Sequence, residues 1–161
     1  MSFVELQTSF DKSTPYGIRN YWKAHYMDHL SDEAIDVLVN YTHDIPGPLS
    51  VVGIEPFGGA ITRVEESATA FPQRSASYIL GLFSGWIESE DDEKNINWTR
   101  ELYHKMTAFA SGGVYSNYLD KDDSDKIRPS FGSNYSRLQK VKYKYDPNNF
   151  FKLNLNIIPK P

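Results

Sequence analysis

The chain has 161 residues, of which 40% are hydrophobic and 24% charged, proportions that predict one soluble globular domain with a real core. A formal net charge of −4 gives no electrostatic basis for nucleic acid as a partner, and no run approaches the ~20 apolar residues of a membrane span. The absence of cysteine excludes disulfides and thiolate chemistry, and the four histidines lack the spacing of a metal site, so no metal is expected.

The first half of the chain is predicted to contain a strand, a helix and a hairpin. Its N-terminus has neither the basic start nor the apolar run of a signal peptide, which predicts a cytoplasmic protein. Aromatic-rich residues 20–27 favour a strand. Ser31 can cap a helix whose apolar residues recur at helical spacing. Residues 49–57 favour a buried strand, and residues 60–64, after a Gly-Gly turn, are predicted to return as the second strand of the hairpin.

The second half is predicted to contain two more strands and two helices. Residues 77–86 are mostly apolar and favour a long buried strand. Apolar residues from 98 to 109 recur every three or four positions, which predicts an amphipathic helix ended by a Gly-Gly pair. Residues 114–119 are predicted to form the last strand. A basic helix follows over 135–145 and ends before Pro147.

This order of elements predicts an α+β fold. Two strand–helix–strand units in tandem favour an antiparallel sheet with helices on one face, in the ferredoxin-like βαββαβ order, and an appended C-terminal helix. The acidic stretch 120–125 is most simply a mobile loop that faces solvent.

Three motifs follow one another closely in the C-terminal third. The chain reads YSNY at residues 115–118, FGSNYSRL at 131–138 and KYDPNNFF at 144–151. In this order and spacing they closely resemble the C-terminal segment of berberine-bridge-enzyme-like, FAD-linked oxidases. Residues outside this segment extend the likeness to the substrate domain of bacterial members of the group: YWK at 21–23, IEPFGGA at 54–60 and TAFPQR at 69–74.

The resemblance implies the substrate-binding half of a FAD-dependent oxidoreductase. In that family an alcohol, sugar or similar small molecule loses a proton to a base while hydride passes to flavin N5, and O2 is the final acceptor. Residues 1–119 would form the substrate-binding α+β domain, with the berberine-like segment 120–161 packed on the same unit. A larger N-terminal module holds most of the FAD in the family. This chain is expected to begin after that module, to be inactive alone, and to need the module or a homo-oligomer.

The resemblance also implies roles for individual residues. The implied base is Tyr118, the second tyrosine of the YSNY motif. Tyr115 and Asn117 look like residues that approach the flavin ring, and Asn134 and Tyr135 look like supports of the same wall.

A tyrosine base needs help from its surroundings. A phenol with a pKa near ~10 is a poor base at neutral pH, so a cation or hydrogen-bond donors must favour the tyrosinate. Arg74, Lys23 and Arg63 are the candidates for this charge and for the substrate pocket, and the sequence leaves the choice among them open.

An alternative function stays open on the sequence alone. The chain would then be a non-catalytic α+β module or fragment that self-associates, or that binds a small molecule or partner. The sheet face that a flavin module would cover would serve as its contact surface, because large apolar patches seldom stay open to water. Binding of FAD distinguishes the two hypotheses.

Overall fold

Three strands and five α-helices form the regular structure of the described residues. The computed structural model describes residues 1–9, 11, 15–120, 122–153 and 155–161. The strands are β1 (Arg19–Met27), β2 (Val51–Pro56) and β3 (Tyr78–Trp86). The helices are α1 (Phe3–Gln7), α2 (Asp32–His43), α3 (Asp92–Met106), α4 (Ile127–Phe131) and α5 (Tyr135–Tyr145).

The sheet has the order β1–β3–β2, and β3 pairs antiparallel with both neighbours. In the register, Met27 lies opposite Tyr78 on one side, and Pro56 lies opposite Tyr78 on the other. The central position of β3 explains its nearly continuous apolar sequence, because both of its faces are covered. Alternate residues of each strand therefore point to two very different environments.

Helices α2 and α3 cover one face of the sheet, which we call the helix side. Helix α2 begins where the Ser31 hydroxyl accepts a hydrogen bond from the Ala34 N–H, as its sequence predicts. Apolar residues from α2, α3 and the sheet form one buried cluster: Met27, Ala34, Leu38, Leu80, Leu82, Trp98, Leu102 and Met106. Burying each large side chain of this kind contributes about 1.5–3 kcal/mol, so the helix side holds most of the stability.

The opposite face, which we call the loop side, is covered by irregular segments. Residues from the sheet and from the stretches 57–76 and 114–119 form a second, smaller cluster there: Ala24, Tyr26, Ala76, Ile79 and Val114, with Phe57, Phe71, Tyr115, Tyr118 and Leu119 partly buried around them. Loops cannot pack as continuously as helices. Open cavities therefore lie on this side of the sheet.

The predicted α+β class, with an antiparallel sheet and helices on one face, is confirmed, but two of the predicted strands are wrong. Residues 60–64 contain the 3₁₀ turn Ile61–Arg63, because the Thr62 hydroxyl donates back to the Gly59 carbonyl at 3.0 Å. Residues 114–119 contain the 3₁₀ turn Ser116–Tyr118. Among the described residues the sheet therefore stops at three strands, and the last strand of the ferredoxin-like order is replaced by a turn.

The acidic stretch 120–125 was predicted to face solvent, and this is wrong for the centre of the stretch. Asp123 is only 2% exposed, and its carboxylate accepts hydrogen bonds from Lys23 and Lys126. The stretch is bound to strand β1 instead of moving freely.

Candidate functional site

A continuous series of aromatic rings covers the loop side of the sheet. Trp22 on β1 meets Phe83 on β3 with ring centroids 5.2 Å apart, and Phe83 meets Tyr118 at the same distance. Tyr118 then meets Tyr115 at 5.1 Å, and Tyr115 meets Phe71 at 5.8 Å. All four contacts are edge-to-face, the arrangement that aromatic quadrupoles favour. The 115–118 motif is therefore seated on a surface of rings.

Two glycines make room for this surface. A Cβ atom on Gly81 would lie 2.2 Å from the Phe83 ring, and one on Gly53 would lie 3.3 Å from it. The Phe83 ring can therefore lie flat along the sheet only because both positions lack a side chain. In this position the Phe83 ring packs against Tyr118 in an edge-to-face contact.

Tyr118, the predicted base, is paired with a carboxylate. Its hydroxyl donates a hydrogen bond to Glu55 Oε1 at 2.9 Å, and Glu55 lies on β2 directly opposite Ile79. Burial and the hydrogen bond to Glu55 raise the pKa of Tyr118 to about 12. The prediction that a cation stabilises the tyrosinate therefore does not describe this structure, in which Tyr118 is a neutral phenol beside a proton acceptor.

Glu55 was not among the residues predicted for the site, although it is the hydrogen-bond partner of Tyr118. It is the acidic residue of an otherwise apolar strand, and strand alternation places it on the same side as Val51 and Gly53. Once the strand is assigned, this alternation predicts that the Glu55 side chain lies on the same face as Gly53. Its partner Tyr118 lies 63 residues further along the chain, so the pair itself is visible only in the fold.

Cavities open on both sides of the Tyr118–Glu55 pair. A cavity of about 570 Å³ is lined by Glu55 together with apolar and polar side chains, including Phe57, Phe71, Arg74, Asn117 and Phe131. A smaller one of about 210 Å³ is lined by Tyr118, Trp22 and Asn117. Each cavity therefore reaches one partner of the hydrogen bond. The larger volume suits a small organic molecule.

Asn117 stands at the point where the cavities meet. It lines both of those cavities and a third of about 630 Å³ beside Leu119 and Ile127. Its side-chain amide donates to the Tyr115 hydroxyl at 2.9 Å, which fixes the exposed end of the 3₁₀ turn. A flat aromatic group with polar edges, such as an isoalloxazine, fits this arrangement of exposed amide and tyrosine rings.

Of the three predicted cations, only Arg74 lines the larger cavity. Its guanidinium donates to the Ile61 carbonyl at 3.3 Å and to the Thr69 hydroxyl at 2.6 Å, and it lies 5.0 Å from the centre of the Phe71 ring. These contacts fix the orientation of the side chain. Arg74 makes no hydrogen bond to Tyr118 within the described parts of the chain.

Lys23 and Arg63 lie elsewhere. Lys23 is on the helix side of β1, where its ammonium binds Asp122 and Asp123 at 2.7 and 2.5 Å. Arg63 ends an exposed 3₁₀ turn. Neither side chain lines a cavity that Tyr118 or Glu55 lines.

Asn134 and Tyr135 belong to the support of the cavity wall. The buried Asn134 amide donates to the carbonyls of Glu66 and Thr69, at 2.7 and 3.1 Å, and thereby holds the loop that leads to Phe71. The Tyr135 ring faces the guanidinium of Arg128 at 5.9 Å. A direct contact of either residue with a flavin stays a prediction.

The described residues contain no group of three or more metal-ligating side chains that could hold an ion, and none of their helices is long and apolar enough to cross a membrane.

Residues 114–158 match a family model described as "Berberine and berberine like". Three curated relatives are similar over a longer stretch. The chain is 35% identical over 124 residues to cannabidiolic acid synthase-like 2 of Cannabis sativa, 29% over 160 residues to a FAD-linked oxidoreductase of Dictyostelium discoideum, and 30% over 169 residues to tetrahydroberberine oxidase of Berberis wilsoniae. These alignments cover 66%, 98% and 92% of this chain but only 23%, 34% and 32% of the relatives. The chain thus spans about a third or less of their length.

Solved structures also superpose on most or all of this chain. The glycopeptide hexose oxidase DBV29, complexed with teicoplanin, superposes with a TM-score of 0.78 at 31% identity, over 89% of this chain and 33% of that chain. The structure of BBE-like #28 from Arabidopsis thaliana superposes with a TM-score of 0.84 over all of this chain and 40% of that one. At 23% identity the second likeness shows the fold alone.

Proposed function

This chain corresponds to the C-terminal region of berberine-bridge-enzyme-like FAD-linked oxidases, and we propose that it is the substrate-binding half of a FAD-dependent oxidoreductase. The proposed substrate is an alcohol, a sugar hydroxyl or a similar small molecule. The observation that carries the proposal is the hydrogen bond between Tyr118 and Glu55, set between two cavities that aromatic and polar side chains line together.

The residues proposed to hold the flavin ring are those of the exposed 3₁₀ turn and its neighbour on β1. Asn117 offers a polar amide, and Tyr115 and Trp22 offer ring surface. FAD, when bound, would accept the hydride from the substrate carbon and pass the electrons to O2. Trp22 is 39% exposed, so its ring is available for such a contact.

Tyr118 is proposed to take the substrate proton through a relay. Its raised pKa keeps the phenol neutral at pH 7, so it cannot act as a preformed tyrosinate. When the substrate O–H breaks, its proton bonds to the Tyr118 oxygen, and the proton already on that oxygen passes to Glu55 over 2.9 Å. The substrate carbon loses hydride in the same event and becomes a carbonyl. Glu55 is thus the final proton acceptor within this chain.

Arg74 is proposed to anchor the substrate. Two hydrogen bonds and the Phe71 ring hold its guanidinium in place, and it keeps further N–H donors for an oxygen in the cavity. A donor that is already oriented loses less entropy when the substrate binds.

Retention of flavin tests this function on the purified chain. FAD is mixed with the protein, and the flavin absorbance is followed through gel filtration. A flavin band that migrates with the protein supports the proposal, and Asn117→Ala should weaken that band. A colourless protein that elutes as a dimer favours self-association instead, and a flavin band that Asn117→Ala leaves unchanged contradicts the proposed flavin contact. Tyr143→Phe on the exposed face of α5 is the control, because it removes a tyrosine hydroxyl far along the chain from the turn.

A second candidate function is self-association without catalysis, and the exposed end of the berberine-like segment favours it. Phe150 and Phe151 are 79% and 76% exposed, although their backbone N–H groups are fixed by the Asp146 carboxylate at 2.7 and 3.0 Å. Two rings held out in water by a rigid turn are a good contact surface. Light scattering of the purified chain tests this candidate: a dimer that Phe150→Ser and Phe151→Ser together convert to monomer would support it, and a monomer at high concentration would exclude it.

A further inference from the structure

A buried ion pair lies on the helix side of β1, directly behind the aromatic surface. The Lys23 side chain is only 7% exposed and its partner Asp123 only 2%. Lys23 Nζ lies 2.5 Å from Asp123 Oδ2 and 2.7 Å from Asp122 Oδ1. Taking these charges out of water is costly, so the pair persists only with good geometry and further hydrogen bonds.

Those further hydrogen bonds are present. Asp123 also accepts from the Lys126 ammonium at 2.6 Å and from the backbone N–H of Asp120 at 3.0 Å. Asp122 also accepts from the Tyr21 hydroxyl at 2.6 Å and from the Arg100 guanidinium at 3.1 Å, and these contacts join β1 to α3: Tyr21 belongs to the strand and Arg100 to the helix. The network is therefore buried at Lys23 and Asp123 and reaches solvent at Asp122 and Arg100.

The pKa values of Lys23 and Asp123 are shifted in the directions that keep both groups charged. Burial alone would lower the pKa of Lys23, but its hydrogen bonds to Asp122 and Asp123 outweigh burial and raise it. Burial would likewise raise the pKa of Asp123, but hydrogen bonds from Lys126 and Lys23 hold it below its usual range. Both groups stay charged across the whole neutral range.

The network binds residues that follow Tyr118 closely in the chain. Asp122 and Asp123 are only four and five residues after it, and the Asp120 N–H donates to the Asp123 carboxylate at 3.0 Å. On the other face of the same strand, Trp22 contacts the Tyr118 ring directly, with centroids 6.3 Å apart. Adjacent residues of β1 thus hold Tyr118 from two directions, Trp22 by contact and Lys23 through the loop.

We propose that Lys23 and Asp123 are positioning residues, which hold Tyr118 in hydrogen-bond contact with Glu55 through residues 119–123. This role rests on the function proposed above for Tyr118. Neither residue touches the reacting atoms, since both lie on the far side of the sheet. Without the pair the loop would lose its buried anchor, and the Tyr118 ring would move away from Glu55.

NMR of protein labelled with ¹³C at the tyrosine ζ carbon tests this role, since that carbon reports ionisation of the hydroxyl. The Tyr118 signal is assigned by its loss in Tyr118→Phe. In the wild-type chain we expect this signal to stay at the phenol position up to about pH 11, because burial and the hydrogen bond to Glu55 both oppose ionisation. In Lys23→Met the midpoint should fall measurably toward the ordinary tyrosine value of ~10, because the contact with Glu55 would be lost.

Arg19→Met is the matched control. Arg19 is on the same strand and also forms an ion pair, but its partner is Asp92 on α3 at 2.5 Å, which lies outside the segment that follows Tyr118. Its loss should leave the Tyr118 signal unchanged. Circular dichroism at each pH checks that every variant remains folded.

If Lys23→Met does not fold, Asp123→Asn replaces it, since the amide fills the same space but removes the charge that pairs with Lys23. It should lower the Tyr118 titration midpoint by a smaller but measurable amount. A wild-type midpoint retained in the folded Lys23→Met or Asp123→Asn variant would overturn the positioning role. A wild-type midpoint already near ~10 would instead contradict the Tyr118–Glu55 pair, and so the proposed function itself.

Discussion

The two faces of the three-stranded sheet differ in the side chains that cover them. The helix side is filled by a cluster that leaves Leu80, Leu82 and Leu102 fully buried. The loop side carries a surface of aromatic rings with cavities between them. Adjacent residues of one strand therefore belong to different faces: Leu82 packs in the helix-side core, and Phe83 lies in the aromatic surface. Substitutions in the aromatic surface should therefore cost less stability than substitutions in the helix-side core.

Removing a helix-side core residue should have the largest effect on stability. Leu102→Ala should lower the free energy of unfolding by about 2–5 kcal/mol, because a fully buried leucine leaves a cavity that its neighbours fill only partly. Urea denaturation followed by circular dichroism measures this. Ile87→Ala, at an exposed position, is the control and should change it by less than about 0.5 kcal/mol. A small loss in Leu102→Ala would mean that the helix side is not the main source of stability.

Gly81→Ala tests whether the aromatic surface depends on a missing side chain. The new methyl group would overlap the Phe83 ring, so we expect a loss of about 1–3 kcal/mol and a weaker contact between Phe83 and Tyr118. The same denaturation experiment gives the first value, and chemical shifts of the Tyr118 ring report the second. Gly47→Ala, whose added Cβ meets no atom within 4 Å, is the matched control. Equal behaviour of the two variants would show that Phe83 does not lie against the sheet in solution.

Tyr118→Phe should be mild for stability, in contrast to Leu102→Ala. It removes one partly buried hydrogen bond, which typically contributes about 0.5–1.5 kcal/mol. If Tyr118→Phe were destabilised as strongly as Leu102→Ala, the helix side would not be the main source of stability. In a flavin-loaded protein the same change should slow flavin reduction by about 10²–10⁴-fold, the usual contribution of a positioned acid or base.

The smallest expected effect is a pH dependence on the helix side. Burial lowers the pKa of His25, which stacks on the Tyr103 ring at 4.0 Å. A depressed histidine pKa contributes stability that is complete above the unfolded value of ~6.5 and is lost as the pH falls toward the lower folded value. Stability should therefore decline below pH ~6.5 by less than about 1.4 kcal/mol per pH unit. His25→Gln should flatten this decline below pH ~6.5, and the exposed His29→Gln is the control.

The sequence predicts most of the fold because its signals are local. Ser31 caps α2 as expected, and the spacing of Trp98, Leu102 and Met106 gives the buried face of α3. The strand predicted over 114–119 is wrong because local bonds compete with a sheet ladder there: the Tyr118 N–H donates to the Tyr115 carbonyl at 2.9 Å and closes a turn.

The site is less predictable, because it depends on pairs that are far apart in sequence. The motif marks Tyr118, but nothing near it points to Glu55 as its partner. The assignment of Lys23 to the pocket fails for another reason. Strand β1 carries large side chains on both faces, so its sequence does not show which alternate set points to the helices. Only the register with β3 resolves that choice.

Titration of Tyr118 in the wild-type chain and in Glu55→Gln measures whether these two groups are paired, and it needs neither flavin nor substrate. If Tyr118 donates to the Glu55 carboxylate, its midpoint lies near 12 in the wild type and falls once the negative charge is removed, while burial, the largest cause of the shift, still holds it above ~10. A wild-type midpoint near ~10 that Glu55→Gln leaves unchanged would mean that the two groups are not paired, and the proposed proton relay would be lost with them.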